Sequence, residues 1–255
     1  MGWSTIRAGG GETAPKRQFF VVLNPTLNRN ALADEFRRDQ RIRIRNVLLP
    51  EVAERVREIC AEKLAFDYVY FLDDAIRLSS EQEMASLDAA RKAQISQALM
   101  QNATRGVGYL YCSFLMNESR SSMREDQRLL YDFYKYLSSP EMLGFISEVS
   151  GRRDLLRADA QYTRYSAGQY LTRHRDDVQG QERRLAYVFG FTKRWHPDWG
   201  GLLQFYSDDG TPRDAWVPEF NCLSLFDTRH VHSVSYVTPF AGEARLSMTG
   251  WFYAK

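Results

Sequence analysis

Cysteine is scarce in this chain: Cys60, Cys112 and Cys222 are the only three in 255 residues, far apart and without a CxxC pair. A disulfide scaffold and a thiolate metal cluster are therefore excluded, and a reducing, cytoplasmic setting is expected. No apolar run approaches the roughly 18 residues a membrane helix needs, and residues 1–14 lack the apolar core of a secretory signal. Neither charge sign dominates, with 34 Lys and Arg against 32 Asp and Glu for a net charge of +2. That balance argues against a nucleic-acid binder and against an acidic tail protein. Histidine is nearly as scarce, and all four (His174, His196, His230 and His232) lie in the last third of the chain.

What is present suits a globular domain: 44% hydrophobic and 13% aromatic residues are enough for a sizeable core. Residues 1–17 are Gly-rich without a period and are expected to be a mobile tail, leaving 18–255 as one domain. Residues 19–23 form a short apolar run, and 41–47 alternate like a half-exposed strand. Pro50, followed by Val52, Val56 and Ile59 on one helical face, predicts a helix with Pro in its first turn. Residues 66–72 read as an aromatic-rich strand. Ser80 and Glu83 form a capping-box signature for one long helix running to about Thr104. Residues 107–115 suggest a buried strand, and 116–124 a polar loop. Two helices are then expected, over 126–137 and from Ser139 as N-cap through Pro140 to Gly151.

Beyond Gly151 the character changes. Short alternating runs at 158–166, 170–174, 185–192, 202–206, 221–226, 232–237 and 245–253, broken by Gly, Pro and Asp, predict a β-sandwich or barrel. The expected fold is thus α+β, with a mixed first half supporting a β second half.

His174-Arg175-Asp176 is the first feature with chemical content. On a strand, residues i and i+2 share a face, so imidazole and carboxylate converge. A histidine some sixty residues later would complete a two-histidine, one-carboxylate set that leaves positions open on a metal, a set suited to Fe(II) and also to zinc or manganese. His232 and His230 both compete for that third place. Arg245, Ser247 and Thr249 alternate onto one face of the last predicted strand, with Leu246 and Met248 on the other. A buried guanidinium there would suit the distal carboxylate of a 2-oxo acid chelated to the metal; a solvated edge charge is the plainer alternative. His196 reads as an exposed loop residue and Asp177 as a turn residue. Arg173 and Arg175 flank the ligand face toward solvent, with Arg175 within reach of a substrate backbone. Tyr68, Tyr70, Tyr109, Tyr111 and the tyrosines of 131–136 read as packing aromatics. Arg37, Arg38, Arg41, Arg43 and Arg45 read as a solvated basic face.

The stretches 162–176 (YTRYSAGQYLTRHRD), 184–206 (RLAYVFGFTKRWHPDWGGLLQFY) and 221–252, with its LSLF, VHSV and RLSMTGWF elements, resemble the prolyl-4-hydroxylase-like 2-oxoglutarate/Fe(II)-dependent oxygenases, and within them the branch of the ribosomal-protein prolyl hydroxylases. The resemblance implies a double-stranded β-helix (jelly-roll) core over 152–255, supported by the helices and extra strands of 18–151. It implies His174, Asp176 and His232 as iron ligands, His232 being favoured over His230 by the His-Ser-Val pattern. Arg245 would grip 2-oxoglutarate, Tyr165 and Tyr187 would contact it, and Ser247 would share that cavity. Fe(II), 2-oxoglutarate and O2 would be required, with ascorbate as an accessory reductant. The implied reaction hydroxylates a prolyl residue of a protein substrate, a translation component being the candidate, and releases succinate and CO2. No direct nucleic-acid or membrane partner is expected. A small-molecule hydroxylase, a zinc hydrolase and a metal-binding jelly roll without turnover are the alternatives.

Overall fold

A computed structural model describes residues 22–117, 120 and 123–254. The expected tail over 1–17, the first part of the 19–23 run and residues 118, 119, 121 and 122 of the 116–124 loop lie outside the described residues. Val22 and Leu23 are buried, and Leu23 bridges Leu48.

The first half builds a support. Helix α1 (Arg29–Asp39) starts where the Asn28 side chain accepts from the Ala31 N–H, and stops at Gln40 in the left-handed conformation. It was not foreseen, because only Phe36 of its eleven residues is buried and no apolar stripe marks it. Strand β1 (Arg41–Arg45) points Ile42 and Ile44 inward, as the alternation predicted. Helix α2 (Pro50–Glu62) has Pro in its first turn and buries Ala53, Val56, Ile59 and Cys60. Strands β2 (Asp67–Leu72) and β3 (Ala75–Ser80) form a hairpin that turns on Asp73 and Asp74, both at positive φ. The capping box at Ser80 and Glu83 is present, but it opens only the short α3 (Glu81–Ser86). Leu87 is extended and Asp88 caps a second start, so α4 (Ala89–Thr104) is a separate helix and the expected long one is two. An Asp that accepts from the N–H three residues on offers the backbone a fresh N-terminus. Strand β4 (Tyr109–Met116) follows, then α5 (Arg128–Leu137) and α6 (Pro140–Ser150). Ser139 caps the last of these, and Gly151 ends it at φ 75°.

The second half holds β5 (Arg157–Ala158), β6 (Ala160–Tyr165), β7 (Tyr170–His174), β8 (Arg183–Gly190), β9 (Leu203–Tyr206), β10 (Pro212–Trp216), β11 (Cys222–Asp227), β12 (His232–Val234) and β13 (Arg245–Tyr253). Their order is β11-β8-β13-β6 on one side and β7-β12-β9-β10 on the other, joined through β4, with antiparallel pairing throughout. This is the eight-stranded jelly roll of a double-stranded β-helix, extended by β1 beside β11 and by β2 and β3 beyond β4. Strand β10 escaped notice in the sequence, since Pro212, Arg213 and Asp214 mark an exposed edge.

Helices α2, α5 and α6 cover one face of the β11-β8-β13-β6 sheet. Phe133 and Phe145 meet Leu246, Met248, Phe252, Phe189 and Leu225 in one apolar core. The period of two sends the intervening residues of each strand to the opposite face, and there the barrel encloses a cavity.

Candidate metal and cosubstrate centre

The cavity holds about 330 Å3 and opens at the end of the barrel where β7 gives way to an irregular segment. His174 closes β7 and lies opposite His232 in the register with β12. Asp176 lies two residues beyond the strand, where its N–H donates to the Thr228 carbonyl at 3.0 Å. The His174 Nε2 is 3.6 Å from Asp176 Oδ1, and the His232 Nε2 is 3.4 Å from Asp176 Oδ2. The two imidazole centroids are 4.2 Å apart, and one donor atom from each of the three residues falls within 4.8 Å of the others. Each histidine has its Nδ1 against a backbone carbonyl, Thr172 at 2.9 Å and His230 at 3.0 Å. With Nδ1 carrying the proton, the Nε2 lone pairs face the shared centre, which is the arrangement a metal ligand needs. Burial, reinforced by His174, pushes the His232 imidazole down to about 4, so it is neutral at physiological pH. Phe226 packs edge-on against its ring at 4.8 Å.

His230 does not join this group. It sits in the turn before β12, where same-face alternation does not operate, and its Nε2 reaches the Asp39 carbonyl at 2.9 Å. Only its own carbonyl touches the site, through His232.

Arg245 is buried on β13, facing the cavity, with its guanidinium carbon 5.3 Å from the Tyr165 ring centre. Its Nε and Nη1 are buried and lack hydrogen-bond partners, and burial depresses its pKa. A buried cation with idle donors is costly unless an anion completes it. A dicarboxylate such as 2-oxoglutarate, anchored by one end here and by the other at the triad, fits that demand. Thr163 Oγ1, also buried and without a partner, lines the same wall. The Trp199-Gly200-Gly201 turn behind Arg245 is tight. A Cβ on Gly200 would lie 1.9 Å from the Tyr236 carbonyl oxygen, and both glycines have positive φ.

The remaining expected cosubstrate residues divide. Tyr165 lines the cavity and stacks on Tyr111 at 5.3 Å and 15°. Tyr187 borders the cavity, yet it belongs to the apolar core beside Phe189 and Phe252, and its hydroxyl donates to the Asp159 carbonyl at 2.6 Å. The reason is parity: on β8 it is Ala186 and Val188 that belong to the barrel side. Ser247 shares the face of Arg245 but lines a small neighbouring recess with Arg43, Cys222 and Ser224, and does not line the main cavity.

Four further residues were read otherwise or overlooked. Tyr109 and Tyr111, taken as packing aromatics, line the cavity, and burial pushes the Tyr111 hydroxyl up to about 12. Trp251 and Arg183 line it as well, the guanidinium carbon 3.5 Å from the indole centre. Trp251 follows Arg245 by six residues, an even spacing that puts both on one face and would have revealed it. His196 is exposed, as expected, and Arg175 meets Asp208 at 3.2 Å on the rim. The basic face is corrected in part: Arg41 is sandwiched against Phe205 at 4.7 Å and bonded to Asp39, while Arg43 holds Glu219 and the Val217 carbonyl. Alternation turned these arginines outward from Ile42 and Ile44, but neighbouring strands cover them.

A jelly-roll barrel with two histidines and a carboxylate at one end and a buried arginine on its last strand defines a non-haem metal oxygenase scaffold. Residues 160–253 match the family model described as the 2OG-Fe(II) oxygenase superfamily. Among curated proteins, prolyl 3-hydroxylase OGFOD1 of Xenopus laevis is 30% identical over 147 residues, covering 54% of this chain and 26% of that protein. The Mus musculus protein of the same name is 32% identical over 116 residues, covering 43% and 21%. The chain thus spans about a quarter of the length of the curated relatives it matches. A Pseudomonas putida prolyl-4-hydroxylase superposes with a TM-score of 0.56 at 19% identity, covering 89% of this chain and 99% of that one. A Trichoplax adhaerens prolyl hydroxylase, solved with a hypoxia inducible factor peptide, gives 0.58 at 14% identity, covering 89% of each chain. These two likenesses establish the fold.

Proposed function

We propose that the protein is an Fe(II)- and 2-oxoglutarate-dependent dioxygenase that hydroxylates a prolyl residue of a polypeptide. The observation that carries this reading is Arg245, a buried guanidinium with unpartnered donors in the cavity that also holds His174, Asp176 and His232. A zinc hydrolase would leave Arg245 without a task, and among the described residues lining the cavity the only carboxylate is Asp176.

His174, Asp176 and His232 would hold the iron, and Arg245 the distal carboxylate of 2-oxoglutarate. When bound, that pair would supply, with O2 as the oxidant, the oxidative decarboxylation that yields succinate and CO2 and places one oxygen atom of O2 on the substrate. The chain orients and insulates. Carbonyl-bound Nδ1 atoms aim both imidazoles, Tyr165 and Tyr111 form a flat wall beside Arg245, and Phe226 and Leu203 keep water from the centre. The polypeptide substrate rests on the prolyl hydroxylase relatives, and a translation component on the family resemblance alone. The helical support and the jelly roll are taken as one catalytic domain. Three free, buried cysteines fit a reducing, cytoplasmic setting, and no described helix is long and apolar enough to cross a membrane.

The test is succinate release from 2-oxoglutarate under air with Fe(II), with and without a protein fraction. Binding of 2-oxoglutarate and stimulation by the fraction are expected. A purified protein that neither binds 2-oxoglutarate nor releases succinate overturns the reading.

A further inference from the structure

Two residues lining the cavity, Trp251 and Arg183, are not accounted for by the metal and cosubstrate. Trp251 Nε1 and Arg183 Nε are both buried and without a hydrogen-bond partner, and Arg183 lies flat on the indole. Such idle donors suit a carbonyl of an incoming chain, provided that both side chains are held still.

A single acidic residue ties the two together. Asp159 falls in the break between β5 and β6, opposite β13. Its Oδ1 accepts the Trp251 backbone N–H at 2.8 Å, and its own N–H donates to the Trp251 carbonyl at 3.2 Å. Its Oδ2 accepts the Tyr253 hydroxyl at 2.6 Å, and Arg183 sits against that same hydroxyl. Its carbonyl accepts the Tyr187 hydroxyl at 2.6 Å. The space is so tight that a Cβ on Gly250 would lie 2.4 Å from the Asp159 carbonyl oxygen, 2.7 Å from Oδ1 and 2.8 Å from the Tyr187 hydroxyl. Every polar group of Asp159 is therefore spent on the strand that carries Trp251 or on the tyrosines beside it. None reaches the triad or Arg245.

We propose that Asp159 is the positioning residue of this part of the cavity wall, fixing Trp251 through its backbone and Arg183 through Tyr253 so that both present donors to a peptide carbonyl of the substrate. The assignment of a peptide carbonyl rests on the polypeptide reading above; the positioning itself does not. It also gives Tyr187 a task as a strut from β8 to Asp159.

Acrylamide quenching of tryptophan fluorescence reads this wall without turnover. Asp159→Ala is expected to raise quenching and shift emission to the red, and both changes should vanish when Trp251→Phe is added. Asp159→Asn, which keeps an acceptor for the Trp251 backbone N–H, should restore the parent signal. Binding of 2-oxoglutarate, titrated with Mn(II) present, should stay within about twofold of the parent, the scatter of independent sites. Tyr253→Phe provides a second route should Asp159→Ala not fold: it cuts only the link to Arg183 and should expose the indole, again only while Trp251 is present. Parent-level quenching in Tyr253→Phe and in every folded Asp159→Ala sample overturns the proposal. So does a change that persists without Trp251, or a loss of 2-oxoglutarate binding that tracks the spectral change. A parent protein that fails to bind 2-oxoglutarate would sink the proposed function and leave the quenching result standing.

Discussion

The two faces of the β11-β8-β13-β6 sheet share their strands and almost nothing else. Toward the helices β13 presents Leu246, Met248 and Phe252, which pack with Phe133, Phe145 and Leu225. Toward the barrel it presents Arg245, Thr249 and Trp251. Except for Ser113, the buried polar side chains among the described residues all lie beyond residue 160, in the strands and turns of the barrel. Apolar packing stabilises by roughly 25 cal/mol per Å2 of buried surface, whereas each idle buried donor costs about 1–3 kcal/mol. One face therefore holds the fold together, and the other spends stability on chemistry. Substitutions on the two faces should separate activity from stability.

The largest separation is expected at Asp176. Asp176→Ala removes the carboxylate common to both histidine contacts. Its cost in metal affinity should exceed the roughly 10–100-fold typical of disturbing an outer partner, and succinate release should vanish while the thermal midpoint holds. His230→Ala should lose far less metal affinity than His232→Ala, because His230 contributes only its carbonyl. Equal losses would overturn the ligand assignment. On the opposite face, Phe145→Ala should lower stability by about 3–5 kcal/mol in a denaturant titration. It should leave the KM for 2-oxoglutarate unchanged, since Phe145 is fully buried in the helix-facing core.

The contrast between the faces also accounts for what could be read in advance. The bounds of β7 and β13, and the Ser139 and Gly151 caps of α6, come directly from local chemistry: alternation, an N-cap hydroxyl, a left-handed glycine. The convergence of His174 and Asp176 was expected from strand alternation, but Asp176 lies beyond the end of β7 and is held there by its N–H on the Thr228 carbonyl; the placing of Arg245 follows from strand parity. What local chemistry does not carry is which face of a strand a neighbouring element will cover. Tyr187 was expected beside the cosubstrate from the family resemblance; it borders the cavity, yet β8 turns the odd residues Leu185, Tyr187 and Phe189 toward the helices. Arg41 and Arg43 alternate outward from Ile42 and Ile44, but Phe205 and Trp216 from β9 and β10 and Glu219 from the loop before β11 enclose them. Helix α1 and strand β10 went unseen because each has few buried apolar residues, so their pairing partners define them.

Arg245→Met brings the two kinds of energy onto one residue with opposite signs. Truncating one partner of a buried charge pair costs about 2–5 kcal/mol, so the KM for 2-oxoglutarate should rise about 30-fold or more while metal binding persists. Without ligand, the same change removes a buried guanidinium whose Nε and Nη1 have no partner, and hydrophobic replacements of buried charges gain about 1–4 kcal/mol. The ligand-free protein should therefore melt at a higher temperature than the parent. A fall in that midpoint would show that Arg245 is structurally satisfied and would weaken its assignment as the cosubstrate anchor.

The smallest effect tests whether every buried charge of the barrel half exists for chemistry. Asp227, at the end of β11, is buried and clamped by Arg229 at 2.7 Å and Arg152 at 2.7 Å. Burial alone would raise its carboxyl, but the hydrogen bonds from Arg229 and Arg152 outweigh that and hold its pKa below 3.8. A carboxyl lowered by folding binds its proton more readily in the unfolded chain. Its stabilising contribution is thus complete above the unfolded value and is lost as the pH falls below it, through the folded pKa. Asp227→Asn should flatten the acid limb of the stability curve and destabilise at neutral pH by about 1–3 kcal/mol, the usual scale for hydrogen bonds to a charged group. Affinity for 2-oxoglutarate should not move, because Asp227 borders a separate recess of arginines and does not line the main cavity. An unchanged acid limb would mean that the two arginines find other partners when Asp227 is neutral. A changed 2-oxoglutarate affinity would mean that the turn it braces, from Thr228 to His230, transmits strain to His232.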